Sequence, residues 1–231
     1  MISGCEMASA GACSTADQQS AHAGTAQQGV RADPRQGCDN LGCNVRGSNA
    51  DALGNRVTAP TEPFSIRRLA PPDAAVLATL RRRALESAPL AFSSSPLDDR
   101  AASLDFLRGI LAASDQAVFG AFADGLVGMV GIYRDPHAKA VHRCEIWGLF
   151  VQAEHRRLGI ARALVAEAIA FARSLAGVTH VYVGATDAAA AAMALYEQLG
   201  FALWGVDAAS LRVDGRLVAE HHMVLALGSY A

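Results

Sequence analysis

Residues 145–177 read EIWGLFVQAEHRRLGIARALVAEAIAFARSLAG, and this stretch combines a strand, a turn and a long helix. Apolar residues dominate its first part and predict a strand over Cys144–Val151. From Gly159 they recur every three or four positions, which predicts a helix to about Ala176 that ends at Gly177. A strand that leads directly into an amphipathic helix is typical of an α/β sheet.

The turn between the two elements, Glu154–Arg162, breaks a rule about helix ends. The N-terminus of a helix carries a partial positive charge and unpaired N–H groups, so acidic side chains are normally favoured there. Here Arg156, Arg157 and Arg162 outnumber the single acid, Glu154. An anionic ligand would resolve the conflict, because the N–H groups would hold phosphate oxygens and the arginines would neutralise charge. A plain surface turn whose arginines aid solubility is the alternative.

Periodicity and turn residues divide the rest of the chain into further strands and helices. Asp124 and Gly125 between two apolar runs predict a hairpin. The triplet Arg81–Arg83, beside an apolar helical stripe, is interpreted as a solvated helix face. The predicted order is βααβββαβαββ, a mixed α/β sheet in one domain. Strands are predicted near 64–69, 117–123, 126–133, 144–151, 178–185, 201–206 and 211–227, and helices begin near 71, 98, 159 and 188.

The first 63 residues differ in composition from the rest. They contain no Phe, Tyr or Trp, so they cannot bury enough apolar area to offset the entropy of ordering. We predict a disordered low-complexity tail over 1–63 and a folded domain over 64–231. An over-long gene model, with translation starting near Val57, is another interpretation. Four cysteines in the tail lack a C-x-x-C pair, so we predict neither a metal site nor a disulfide framework from them: Cys5, Cys13, Cys38 and Cys43.

Overall composition excludes some classes of function. Of the 231 residues, 52% are apolar and 18% are charged, and the formal net charge is -2. The chain therefore lacks the excess positive charge that general nucleic-acid binding requires. No apolar run reaches the ~18 residues that cross a bilayer, and the N-terminus lacks the basic-then-apolar pattern of a signal peptide. We expect a cytoplasmic protein with no nucleic-acid or membrane partner.

Three segments resemble, in order, the motifs of one family. R-x-x-G-x-A at Arg156–Ala161 is similar to the Q/R-x-x-G-x-G/A signature of the GNAT superfamily, the Gcn-related N-acetyltransferases. Glu145–Val151 resembles the family's central strand, which splays at its end, and Ala192–Phe201 resembles its A-x-x-L-Y-x-x-x-G-F helix. The resemblance extends over about Phe64–Leu227 and implies the single mixed-sheet GNAT fold. One departure is Ala189, where the family often has an Asn that contacts the cofactor.

The resemblance implies an acetyl-CoA-dependent N-acetyltransferase that moves an acetyl group directly to a primary amine of a small molecule or protein. Val151 would pair with the pantetheine amides, and the backbone N–H of Leu149 would bind the cofactor and stabilise the oxyanion. Tyr196 would protonate the leaving thiolate, and a purely packing role is its alternative. The residues implied in binding the pyrophosphate are Arg156, Arg157, Gly159, Ala161 and Arg162.

Glu145 is the candidate general base. It lies eleven residues before Arg156, the spacing at which some lysine-acetylating family members place a glutamate base. In a regular strand Glu145, Trp147, Leu149 and Val151 share one face, where partial desolvation beside Trp147 would raise the pKa of the carboxyl. The alternatives are an ion pair with Arg143, exposure to solvent, or a water chain as the base.

Cys144, next to the candidate base, is expected to be a buried structural thiol. A nucleophilic cysteine usually needs a histidine partner, and His142 is the nearest candidate in sequence.

Two other functions remain open from the sequence. One is a non-catalytic acyl-CoA-binding sensor, and the other is a transferase that uses a different acyl-CoA. The resemblance places the acceptor between the loop Ala88–Pro96 and the last hairpin, Val206–Glu220. Homodimers are common in the family, so a homodimer is compatible with the resemblance, although the sequence carries no signal for one.

Overall fold

The computed structural model describes residues 63–228. The elements follow one another in the predicted order, and the mixed α/β fold is confirmed. The predictions for the tail and its four cysteines lie outside the described residues. The strands are β1 Ser65–Arg68, β2 Gln116–Phe122, β3 Leu126–Arg134, β4 Arg143–Val151, β5 His180–Thr186, β6 Ala202–Val213 and β7 Arg216–Ala226. The α-helices are α1 Ala74–Ser87, α2 Leu104–Ala112, α3 Ile160–Ser174 and α4 Ala190–Gln198.

The seven strands form one sheet in the order β1-β2-β3-β4-β5-β7-β6. β4 and β5 are parallel, and every other neighbouring pair is antiparallel. A parallel pair needs a crossover connection, which α3 supplies. The pairing of β4 with β5 stops at Ile146 and Val183, whereas β5 continues beside β7 as far as Thr186. The two parallel strands therefore part near the middle of β4.

Helices cover the sheet on both sides. The apolar stripe of α3 is buried against one side, here called the α3 face, where α4 also packs. The opposite side, the α1 face, is covered by α1 and α2, which pack over β2 and β3. In residues 63–228, no helix has the length and apolar character needed to span a membrane.

Two elements differ in extent from their predictions. Helix α2 begins at Leu104 because the Ser103 side chain accepts a hydrogen bond from the N–H of Phe106, which caps the helix there. Strand β6 continues to Val213 through a register shift between Asp207 and Leu211, so β6 and β7 form one long hairpin.

The arginine triplet of α1 was wrongly interpreted at Arg81. This side chain is only 7% exposed and forms an ion pair with Asp99, with 3.2 Å between Nε and Oδ2. Its guanidinium also lies 5.1 Å from the ring centroid of Phe92. The burial is tolerated because the charge has a paired carboxylate, and it ties the α1–α2 loop to the helix. Arg82 and Arg83 are exposed, as predicted.

Candidate functional site

A bulge interrupts β4 where it leaves β5. Trp147 pairs with Gly131 and Phe150 pairs with Met129, so Gly148 and Leu149 together oppose one residue of β3. Gly148 has a φ of 66°, the left-handed conformation that the first residue of such a bulge adopts. The bulge therefore places Leu149 at the point where β4 has a partner in neither neighbouring strand.

The extra residue changes which side chains share a face, so the predicted alignment of four residues is wrong. Trp147 packs against the core of the α1 face, whereas Val151 belongs to the core of the α3 face and Leu149 packs against it. Strand alternation holds only up to the bulge and resumes in the opposite phase beyond it. Glu145 and Trp147 are thus separated from Leu149 and Val151.

The backbone of Val151 faces the gap between the parted strands. The N–H of Gln152 donates to the carbonyl of Val127 at 2.9 Å, so Val151 and Gly128 form a non-hydrogen-bonded pair. In such a pair the backbone groups of Val151 point away from β3. Its carbonyl accepts a hydrogen bond from Nε of Arg156 at 3.0 Å, which fastens the turn to the end of β4.

The N-terminus of α3 is open and lacks a side-chain cap. Its N-cap residue is Gly159, with a φ of 84°, and the first turn contains no acidic residue. A Cβ at this position would have no atom within 4 Å. Arg157 also has a positive φ, 62°, which costs about 1–2 kcal/mol in a residue other than glycine. Unpaired N–H groups, open space and strained backbone together fit an anionic group such as a diphosphate.

The predicted pyrophosphate-binding residues all belong to this turn and to the first turn of α3. Arg156 and Arg157 are exposed, and Ala161 is half-buried and packs against the core of the α3 face. Arg162 donates a hydrogen bond to the side chain of Gln198 in α4. This contact directs its guanidinium across the space between α3 and α4.

Tyr196 of α4 is 3% exposed, and its ring lies 5.5 Å from that of Phe201. Its hydroxyl is not among the fully enclosed polar atoms and makes no hydrogen bond within residues 63–228. Burial raises the pKa of the phenol above its ordinary value. The hydroxyl is therefore protonated at neutral pH and can donate a proton.

Glu145 lies on the α1 face and is exposed. Its Oε2 accepts a hydrogen bond from the Tyr133 hydroxyl at 2.7 Å, a contact that the sequence did not suggest. Cross-strand register explains it, because Tyr133 of β3 pairs directly with Glu145 of β4. The guanidinium of Arg143 lies over the ring of Tyr182, 3.9 Å from its centroid, and no ion pair joins Arg143 to Glu145 among the described residues.

Cys144 belongs to the core of the α3 face, and burial raises the pKa of its thiol to about 11. The ring of His142 packs edge-on against His180, with 6.3 Å between centroids. No hydrogen bond joins Cys144 to His142 in the described part of the chain. This environment keeps the thiol neutral and favours its structural interpretation.

The bulge at Gly148 is a second feature of the site that sequence reasoning missed, after the contact of Tyr133 with Glu145. An isolated glycine inside a strand pattern is a signal for a bulge, and Gly148 supplied it. What the pattern alone did not give is the side of the strand on which the following residues would lie.

A sheet that opens between two parallel strands, beside the uncapped N-terminus of the crossover helix, defines an acyl-CoA N-acyltransferase fold. The model of the acetyltransferase (GNAT) family matches residues 78–201, more than half of the chain, and the chain belongs to this family.

The chain is also similar to individual acetyltransferases in sequence or in fold. Human N-acetyltransferase 8 is 41% identical over 98 residues, which are 42% of this chain and 41% of the human protein. The match thus spans about two fifths of that relative's length. A GNAT-family acetyltransferase from Streptococcus pneumoniae has a TM-score of 0.63 at 22% identity, over 71% of this chain and 99% of its own. A putative acetyltransferase from Salmonella typhimurium, solved with its cofactor acetyl-CoA, has a TM-score of 0.63 at 22% identity over 73% and 96%. At this identity the two structures show a shared fold.

Proposed function

We propose that the chain transfers an acetyl group from acetyl-CoA directly to a primary amine. The observation that carries the proposal is the gap between β4 and β5, which opens beside the bare N-terminus of α3. The gap can admit an extended chain, and the helix end can hold a diphosphate at one end of it. A coenzyme with both parts fits this pair of features.

The residues present fit acetyl-CoA. The N–H groups of the first turn of α3, with Arg156, Arg157 and Arg162, would hold the diphosphate, and Gly159 leaves room for it. The carbonyl of Val151 would accept from a pantetheine amide, since a carbonyl has two lone pairs and Arg156 uses one. The small side chain of Ala161 leaves space at the N-terminus of α3, where the diphosphate would enter. When bound, acetyl-CoA supplies an activated acyl group and a thiol that can leave.

We propose that three groups take part in the chemical step. The N–H of Leu149 would donate to the oxygen on which negative charge develops, because it lies in the bulge at the gap. Tyr196 would give its proton to the departing sulfur, because its hydroxyl is protonated at neutral pH and makes no hydrogen bond within residues 63–228. Glu145, held by Tyr133, would accept the proton that the amine must lose.

Binding and turnover test the proposal in two steps. We expect calorimetry at low salt to detect coenzyme A, and we expect thiol release from acetyl-CoA in the presence of primary amines. Arg157→Gly removes a charge without adding strain, so coenzyme A affinity should fall by about tenfold. Arg173→Ala, in the last turn of the same helix, is the matched control.

Failure has two distinguishable forms. No binding of coenzyme A at millimolar concentration would overturn the proposal. If coenzyme A binds but no tested amine causes release of its thiol from acetyl-CoA, the chain is an acyl-CoA-binding module.

A further inference from the structure

A carboxylate, that of Glu220, packs against the sheet beside the gap between β4 and β5. The side chain of Glu220, on β7, occupies the space where a Cβ would lie at Gly184 of β5. Its Oε2 accepts a hydrogen bond from the Ser210 hydroxyl at 2.8 Å. Because position 184 is glycine, the carboxylate can lie directly against the backbone of β5, and the hydrogen bond from Ser210 orients it.

This carboxylate lies at the mouth of the gap on the α1 face. Val183 and Ala185 are in the core of the α3 face, so Gly184 between them faces the other way. Gly184 is also the first residue of β5 beyond its last pair with β4. The register partner of Glu220 is Thr186, whose hydroxyl donates to the carbonyl of Leu90 in the α1–α2 loop at 2.8 Å. Glu220 thus lies on the β6–β7 hairpin, close to the α1–α2 loop.

The charge of Glu220 has no cationic partner in the described part of the chain. Within residues 63–228 it forms no ion pair, and Ser210 uses only part of the hydrogen-bonding capacity of the carboxylate. The side chain is half-buried, so water screens it less than a fully exposed acid. A primary amine is an ammonium ion at neutral pH and would complete the site.

An aromatic wall continues from Glu220 on the same face. His222 pairs with Gly184, and its ring lies 5.5 Å from that of Trp204. The Trp204 ring is in turn 6.4 Å from the ring of Tyr182, and Trp204 is 59% exposed. A large exposed aromatic on the same face as a carboxylate is suited to a ligand that has an apolar ring and a positive charge.

We propose that Glu220 binds the ammonium group of the acceptor and that Trp204 packs against an aromatic ring next to it. The substrate class is then a primary arylalkylamine. This inference rests on the proposed function, because it assigns the acceptor side of the same gap. Ser210 is a positioning residue, since it acts through Glu220.

The test measures steady-state kinetics of the full chain with acetyl-CoA and two amines, phenethylamine and ethanolamine. We expect kcat/KM for phenethylamine to exceed that for ethanolamine by about tenfold, equivalent to ~1.4 kcal/mol. Glu220→Gln should raise KM for phenethylamine by about tenfold and leave KM for acetyl-CoA unchanged. Trp204→Ala should reduce the preference for phenethylamine and leave KM for ethanolamine unchanged.

A glycine pair provides the matched control. Gly184→Ala should reproduce the effect of Glu220→Gln, because the new methyl group displaces the carboxylate. Gly205→Ala, where a Cβ would have no atom within 4 Å, should leave both KM values unchanged.

The outcomes separate this inference from the function on which it rests. Thiol release with an unchanged KM in Glu220→Gln and Gly184→Ala would overturn the inference alone. Equal or better use of ethanolamine by the wild-type chain would also overturn it. Absence of coenzyme A binding would overturn both.

Discussion

At the scale of single residues, Tyr196 combines a buried ring with a hydroxyl that has no hydrogen-bond partner among the described residues. A phenol that only packed would lose little by becoming phenylalanine. We predict that Tyr196→Phe lowers kcat by about 100-fold while the free energy of unfolding and KM for acetyl-CoA stay close to wild type.

The leaving group gives this prediction a second readout. If Tyr196 protonates the departing sulfur, the loss should shrink with an acetyl thioester of a more acidic thiol, which needs less help to leave. An equal loss with both donors would assign Tyr196 a packing role.

We predict that Glu145 contributes to turnover of the acceptor and contributes little to the stability of the fold. Its carboxylate is exposed and its hydrogen bond comes from one tyrosine, Tyr133, so Glu145→Gln should have little effect on the midpoint of unfolding. The value of kcat/KM at neutral pH should fall by about 100- to 10,000-fold. Glu167→Gln, on the exposed side of α3, is the control. Retention of most of the turnover would leave a water chain as the base.

Asp73 gives the stability of the domain a predictable dependence on pH. Its carboxylate accepts hydrogen bonds from the Arg67 guanidinium at 2.7 Å and from the N–H of Ala70 at 2.8 Å. The hydrogen bond from Arg67 is the main cause that lowers the pKa of Asp73 from 3.8 to about 2. Because the pKa is lower in the folded state, the ionised carboxylate stabilises the fold at pH values above the pKa of the unfolded chain, 3.8. This contribution is lost as the pH falls through about 2.

We predict that Asp73→Asn destabilises the domain at neutral pH by no more than about 1 kcal/mol, because Arg67 is half exposed and solvent screens the pair. Denaturant titrations should show that the difference from wild type narrows between pH 3.8 and about 2. Asp105→Asn, at a highly exposed ion pair of α2, is the control. A difference that grew as the pH fell would contradict the assigned sign.

At the scale of elements, the bulge in β4 links the stability of the strand to the function of the gap. Gly148 has a φ of 66°, and a Cβ there would be 3.7 Å from Nη1 of Arg81, an ordinary contact distance. The cost of Gly148→Ala is therefore backbone strain, about 1–2 kcal/mol of unfolding free energy. We also predict weaker coenzyme A binding in calorimetry, because relief of the strain would straighten β4 towards β5.

Gly109→Ala is the matched control for this substitution. Gly109 is exposed within α2 and a Cβ there meets no atom within 4 Å. It should stabilise the domain by about 1 kcal/mol without changing coenzyme A affinity. Unchanged binding in Gly148→Ala would show that the bulge does not set the opening of the gap.

The elements themselves could largely be predicted from the sequence because their signals are local. The stripe of α3 and the Asp124–Gly125 turn are encoded within a few residues, so their positions were close to those in the structure. The phase of β4 beyond Gly148 and the burial of Arg81 depend on β3 and on Asp99, which periodicity does not include. The contact of Glu220 with Gly184 likewise exists only once β5 and β7 pair.

At the scale of the whole molecule, the described elements form a single sheet with helices on both faces, and all of them lie within 63–228. The parallel pair that opens at the gap is held on one side by β3 and on the other by β7, so the site needs the complete sheet. The family match also lies inside this part, at 78–201. We therefore propose 64–231 as the catalytic domain.

A truncated chain tests that boundary. A chain that starts at Arg56 keeps every described element, because the first of them, β1, begins at Ser65. We predict that it has the same unfolding midpoint, coenzyme A affinity and kcat as the full chain.

A second chain starting at Ala70 is the control, because it lacks β1, whose four residues pair with β2. That loss exposes an edge of the sheet, so the second chain should be less stable and prone to association. A fall in kcat or in the unfolding midpoint on removal of residues 1–55 alone would assign that segment to the working enzyme and overturn the boundary.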